Sequence, residues 1–409
     1  MLINITALTN KVICHLKRKQ IIRVIWEQYL AFLFVPVVLL LRFISPLILV
    51  RYGSTMSARI GHFAFKMNYY LCEKEHGLID NKCFDIFYHG FNISNYQLKK
   101  MWDRHPDLRI NKFAWLLYSA NKLLPNSERY EIEKTDSVDS KNLVVKSKIH
   151  LQFTHDEIKE AQTDLRKMGI PADSAYIGLI ARDSGYLKTV FPERNWDYHN
   201  YRDSNIDNYV LAAEELAARG HYVLRMGAAV ENPFKTNNPK IIDYAMNGYR
   251  TDLLDIYIAA NCYFFISTGT GMDEIPVLFR RPVVRVNYVP IEWIRGWLPD
   301  EITIFKKHWL KDKKRFMTIM EIIESGAGRW TYSELFEEHG IEPIENTPEE
   351  IRDVVTEMEK RLKGVWETTE EDEELQKRFW SFFKPGELNP VFRSRIGAEF
   401  LRQNKEMLE

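Results

Sequence analysis

Along most of the chain, apolar runs of strand length alternate with stretches whose apolar residues recur at helical spacing. Residues 47–53 (LILVRYG) predict a buried strand, 62–74 a helix, 82–88 (KCFDIFY) a second strand and 94–103 a helix. Residues 126–147 are polar and predict a loop or linker. Thr154 and Glu157 form a capping-box pattern that opens a helix to about Met168, where Gly169 and Pro171 stop it. The alternation then resumes. Strands are predicted at 175–181, 221–226, 262–267 and 282–287, and helices at 205–218, 250–260 and 272–280. Strands that alternate with helices imply parallel β units covered on both faces. Two such blocks, 46–150 and 151–340, with the second alternation running from 171, imply an α/β architecture of two doubly wound, Rossmann-like domains facing across a cleft. Residues 341–409 read as a charged helical tail, and the acidic run Glu370–Glu374 as a solvated helix start. No repeat of 20–50 residues is visible.

The segment before these blocks breaks the pattern. Residues 29–41 (YLAFLFVPVVLLL) are apolar throughout, with Pro36 inside and Arg42 following. As a helix the run reaches about 20 Å, short of the roughly 30 Å hydrocarbon core of a bilayer. Lys11, Lys17, Arg18, Lys19 and Arg23 precede it. A basic cluster beside a short apolar run predicts that residues 1–45 associate with a membrane as a monotopic anchor, keeping the rest of the chain on the cytoplasmic side. A span and a buried core helix are the alternatives. No small-residue cleavage site of a signal peptide follows.

Composition narrows the classes. The 409 residues carry 56 basic and 56 acidic side chains, a formal net charge of zero, which argues against a nucleic-acid partner. At 45% hydrophobic residues the chain has ample material for packed cores, so it is not a disordered chain. Its four cysteines form no C-x-x-C pair, which disfavours a disulfide scaffold or a cysteine-built zinc site and suits a reducing compartment.

Candidate chemistry gathers where predicted strands end. Ser267-Thr-Gly-Thr-Gly-Met-Asp-Glu274 lies between an apolar strand and a helix. Glycines let backbone N–H groups approach an oxyanion, and a helix N-terminus adds positive potential. Thr268, Gly269, Thr270 and Gly271 are therefore candidate diphosphate ligands, although an ordinary strand–helix turn has the same composition. Arg182 and Arg225 end neighbouring predicted strands, the latter followed by Met226 and Gly227. Guanidiniums there suit a diphosphate; the plainer role is a salt bridge to Asp183 or Asp203. The stretch Asp197–Asp207, with His199 and Arg202, mixes rings with donors and acceptors and suits a sugar, but Asp203 and Ser204 are also good helix caps. Arg59, Gly61 and His62 follow the first strand. A histidine at a helix start is disfavoured as a cation and can serve as a base, though a lone histidine is more often structural. H-E-x-x-H, D-x-D and G-x-S-x-G are all lacking, so no metal site is expected.

Taken together, Arg182-Asp-Ser-Gly-Tyr-Leu187, Tyr198-His-Asn-Tyr-Arg-Asp203, Arg225-Met-Gly227, Ser267–Gly271, Arg59-Ile-Gly-His62 and the closing Arg395–Leu401 resemble a family of bacterial surface-polysaccharide glycosyltransferases with a GT-B-like fold. The resemblance covers about residues 46–340. It implies sugar transfer from a nucleotide-sugar donor held mainly by the C-terminal domain (151–340). The acceptor is expected to enter from the N-terminal domain (46–150), near the anchor, a placement that suits a glycan or lipid-linked glycan. In that reading Arg182, Arg225, Gly227 and Thr268–Gly271 take the diphosphate, and Glu274 takes ribose or donor-sugar hydroxyls. Arg59, His199 and Arg202 contact substrate. His62, or next Asp183, takes the acceptor's proton if the reaction inverts. Neither a metal nor a cofactor is expected, and inner-membrane lipid is an expected partner. The competing expectations are a nucleotide-sugar epimerase of the same architecture and a non-catalytic, membrane-tethered assembly protein.

Overall fold

The computed structural model describes residues 26, 29–132, 138–190, 192–386 and 389–409. Its main element is a seven-stranded sheet in the order β12-β8-β7-β6-β3-β4-β5, parallel at every pairing. The strands are β3 (Tyr176–Ile180), β4 (Tyr222–Arg225), β5 (Ile241–Ile242), β6 (Phe265–Ser267), β7 (Val283–Tyr288), β8 (Glu301–Phe305) and β12 (Arg395–Ile396). β3, β6 and β8 are almost wholly buried, as strands covered on both faces must be. The chain winds one way through β3, β4 and β5, then returns to β6 and winds the other way through β7 and β8. The winding therefore reverses between β3 and β6.

The first block is smaller than expected. β1 (Leu49–Ser54) and β2 (Cys83–Tyr88) form a two-stranded parallel sheet, extended among the described residues only by single bridges from Tyr52 to Glu131 and from Phe87 to Ile110. The expectation of a second doubly wound sheet over 46–150 is corrected accordingly. After β2 the chain offers helices, Tyr96–Asp103 and Ala114–Lys122, but no further apolar run of strand length.

Nor are the two blocks separate bodies. The helix Ile60–Glu75 is buried on every side from Phe63 to Cys72, as a helix between two layers must be. One apolar core runs from its Phe63 and Met67 through Leu254 and Ile258 of the helix Asp252–Asn261 to Ile275. Where the layers meet near the cleft, Gly61 and Gly271 touch through their backbones; a Cβ on Gly61 would lie 2.8 Å from Gly271 Cα. Nearby, Asn95 Nδ2 donates to Asp252 O (3.0 Å) and Tyr96 N to Asp252 Oδ2 (2.7 Å).

The segment 341–409 is likewise no appendage. β12 extends the large sheet beside β8, and Phe379 and Phe400 pack on Phe305. Glu370–Glu374 does open a helix, Glu370–Ser381, closed by a Thr369–Asp372 capping box. β11 (Ile341–Ile344) joins β9 (Lys307–Leu310) and β10 (Arg315–Phe316) in a three-stranded antiparallel sheet.

Of residues 1–45, the basic cluster lies outside the described residues. Residues 29–33 are helical, and Pro36 sits in the first turn of the helix Val35–Phe43. Arg42 fixes this helix to the small-sheet block: its guanidinium donates to Asn121 Oδ1 (2.6 Å) and Pro125 O (2.6 Å), over the ring of Tyr130. Phe32, Leu40, Phe43 and Leu47 are strongly exposed, Phe43 at 82%. Among the described residues no helix is long and apolar enough to cross a membrane.

Candidate active site

In open α/β sheets ligands bind outside the carboxyl ends of the strands, where the winding reverses. Here a cavity of about 360 Å³ occupies that place, within the size range of small-molecule sites. Its walls come from the ends of β3, β4 and β6, the loop 196–202, the residues before the helix Asp252–Asn261, and Arg59–His62 of the first block. Arg182 N donates to Thr268 Oγ1 (3.0 Å), which ties the two strand ends together at the reversal.

The glycine-rich turn after β6 is built from beneath. Buried Asp273 accepts from Ser267 Oγ, from Thr270 Oγ1 (3.0 Å) and from Arg285. Arg285 Nε in turn lies 2.9 Å from Glu301 Oε1. These three ionic side chains are 0–1% exposed, and burial pushes the Glu301 carboxyl up while Arg285 opposes it. Gly269 takes a left-handed φ of +77° and lies against the Tyr288 ring, where a Cβ would come within 2.8 Å. Thr270 and Gly271 face the cavity, whereas Thr268 is buried behind it.

The arginines divide. Arg225 does not line the cavity: it is fully buried, bonded to Asp243 (3.1 Å) and Asn232 O (3.1 Å). The expectation that it reaches a diphosphate is corrected, because a strand-end guanidinium this deep must be paired inside the fold. Arg182 does line the cavity, but its charge is shared with Asp203 and it also donates to His199 O (3.1 Å). The salt bridge weighed from sequence is therefore present for both residues: Arg182 pairs with Asp203, and Arg225 pairs with Asp183 at 3.8 Å as well as, more closely, with Asp243. Arg202, by contrast, bonds among the described residues only to Gly269 O, at the turn. Arg59 is exposed on the opposite wall, and its guanidinium has no hydrogen-bond or ion-pair partner among the described residues.

The remaining candidates also separate. Gly227 and half-buried His62 line the cavity. Asp183 lines it too, but its carboxylate accepts from Gly185 N (3.0 Å) and Glu231 N (3.0 Å) and so caps a loop. Glu274 is 2% exposed and held in a two-point pair by Arg295, with Nη1 at 3.0 Å. His199 lines the cavity beside Trp196, their rings stacked at 9°. Burial, with Arg182, Arg202 and Arg59 adding to it, brings the His199 imidazole down to about 4, so it is neutral at pH 7. The helix cap in this stretch is Asn205, which accepts from Asp207 N (3.0 Å), rather than Asp203 or Ser204.

Sequence reasoning passed over Ser94, Arg250 and Asp255, all of which line the cavity. Arg250 Nη2 donates to Asp255 Oδ2 (2.6 Å), and Tyr244 OH to Asp255 Oδ1 (3.1 Å). Burial brings the Asp255 carboxyl up to about 6. The available signal was an Arg–Thr–Asp stretch opening a predicted helix at the same sheet edge as the glycine turn. Among the described residues, no group of three or more His, Cys, Asp or Glu side chains is placed to hold a metal ion.

No family model matches the chain, and no curated protein matches it. Among solved structures, it is similar to a glycosyl transferase family 9 protein from Veillonella parvula (TM-score 0.38, 10% identity, covering 58% of this chain and 80% of that one). It is also similar to the ADP-heptose lipopolysaccharide heptosyltransferase II of E. coli (TM-score 0.37, 10% identity, 62% and 90%). A third is an E. coli heptosyltransferase solved with ADP-2-deoxy-2-fluoro heptose (TM-score 0.33, 11% identity, 62% and 92%).

Proposed function

We propose that this chain is a GT-B-like glycosyltransferase, moving a sugar from a nucleoside-diphosphate sugar to a saccharide of a surface polysaccharide, without a metal ion. One observation carries the reading. At the reversal between β3 and β6, a glycine turn presents backbone at Thr270 and Gly271, beside an arginine, Arg202, that has no carboxylate partner among the described residues. Backbone N–H groups and a guanidinium not neutralised by a carboxylate suit a departing diphosphate when no metal neutralises it. Arg182 acts through the 199–203 loop, and the Asp273–Arg285 pair acts through the turn; both hold ligands in place.

In the transfer, the acceptor hydroxyl oxygen bonds to the anomeric carbon as the bond from that carbon to phosphate oxygen breaks. The nucleoside diphosphate leaves with the electron pair. In an inverting reaction His62 takes the hydroxyl proton. Asp183 is the weaker choice, since both its oxygens already accept backbone N–H groups. His199 and Trp196 offer flat faces to the base or a sugar.

The test is a thermal-shift panel of nucleoside mono- and diphosphates, followed by a donor assay with and without saccharide acceptors. The expected result is stabilisation by one nucleoside diphosphate and acceptor-dependent release of it, persisting in EDTA. Isomerised donor with no acceptor, Mg²⁺-restorable loss of activity in EDTA, or no nucleotide binding would each overturn the reading.

We also infer that the chain works at the cytoplasmic face of a bacterial inner membrane. The exposed Phe32, Leu40, Phe43 and Leu47 support this, as do the lysines and arginines between Lys11 and Arg23, which complement anionic lipid. The full chain is expected to float with phosphatidylglycerol vesicles, and the Leu40→Glu/Phe43→Glu double variant to stay behind. Equal flotation of the two would refute the anchor.

A further inference from the structure

The cavity holds more cationic chemistry than a diphosphate uses. Of its acids, Asp183 is occupied by backbone N–H groups, Glu274 by Arg295, and Asp255 by Arg250 and Tyr244. Arg182 is occupied by Asp203. Two guanidiniums without a carboxylate partner among the described residues remain, on different walls: Arg202 against the glycine turn, and Arg59 at the start of the helix Ile60–Glu75.

Around Arg59 the wall carries further unused donors. Arg250 offers one nitrogen to Asp255, and its Nε is buried with no hydrogen-bond partner among the described residues. The same holds for Ser94 Oγ. The Tyr186 hydroxyl lies within the electrostatic reach of both Arg250 and Arg59, each of which opposes the upward push of burial on its pKa. Four side chains that carry donors, from four separate segments, thus line the same cavity. Asp255 balances Arg250, which leaves one net positive charge. Buried donors left unmatched are costly, and a site built of them selects a ligand that satisfies them.

We propose that Arg59, Arg250, Tyr186 and Ser94 form a second oxyanion subsite, which selects a saccharide bearing a carboxylate or a phosphate. The proposal rests on the transferase reading for the identity of the other ligand, but the subsite itself is testable without turnover. Its anion belongs either to the sugar being transferred or to the acceptor.

Equilibrium binding by ligand-observed NMR tests it on the full chain and on Arg59→Ala and Ser94→Ala. Free saccharides (D-glucuronate, D-glucose 6-phosphate and D-glucose) are titrated with ADP or UDP present. UDP-glucuronate and UDP-glucose are compared separately. Acidic ligands are expected to bind wild type about tenfold more tightly than neutral ones, the scale of one charge-assisted hydrogen bond. Arg59→Ala removes that preference and Ser94→Ala reduces it, while ADP or UDP affinity stays within about twofold. A preference among free saccharides places the anion on the acceptor; one among nucleotide sugars places it on the transferred sugar. Equal binding of acidic and neutral ligands to wild type overturns the proposal. So does a tenfold loss of ADP or UDP affinity in Arg59→Ala, which would make Arg59 a diphosphate ligand. If neither nucleotide binds while the Arg59-dependent preference persists, the transferase reading fails and the subsite stands.

Discussion

Arg225 at the tip of β4 and Arg202 in the loop beside it carry the same group to opposite ends. The strand-tip residue is fully buried and bonded to Asp243 and Asn232 O. The loop residue bonds to a carbonyl of the glycine turn, has no carboxylate partner among the described residues, and lines the cavity. A strand in a covered parallel sheet delivers its last side chain into the fold, where a charge needs an internal partner. A loop delivers its side chain to the edge, where a ligand can be the partner. Position relative to the sheet, rather than residue type, separates support from binding.

Exchange of these arginines sharpens the contrast. Arg225→Ala leaves Asp243 without its cation and is expected to cost about 3–5 kcal/mol of stability, read by chemical denaturation. The fraction that folds should bind nucleoside diphosphate as wild type does; a stable variant that has lost nucleotide would reverse the assignment. Arg202→Ala should do the converse. It should weaken nucleoside diphosphate by about 1.5–3 kcal/mol in calorimetry, with little change in melting temperature. The contact between the two layers gives a third test. Alanine normally improves a helix over glycine by up to about 1 kcal/mol. Gly61→Ala should instead destabilise by about 1–3 kcal/mol, because its Cβ meets Gly271 backbone. The last effect is confined to acid and comes from His199. Its folded pKa of about 4 lies below the ordinary 6.5, so the unfolded chain takes the proton first as pH falls. Stability is complete above pH 6.5 and declines toward pH 4. His199→Gln should flatten that part of the profile.

The large sheet was legible because its strands β3, β4, β6 and β7 are short runs rich in apolar residues, and in the first three a glycine or a charge follows closely; periodicity reads such runs directly. The glycine turn was legible for the same reason. What periodicity could not show was depth. Arg182 and Arg225 end their strands alike in sequence, yet their partners Asp203 and Asp243 come from loops whose paths only the fold determines. The small sheet was over-read: two strands were visible in 46–150, and a full Rossmann-like domain was extrapolated from them. The tail was under-read, since β12 has only two residues and gives no periodic signal. Arg285, a charge within the apolar run PVVRVN, was the one visible mark of the ionic support under the turn.

The bare backbone contact between Gly61 and Gly271 bears on how ligands come and go. Two layers that share a continuous core and meet through peptide atoms have little freedom to swing apart as rigid halves.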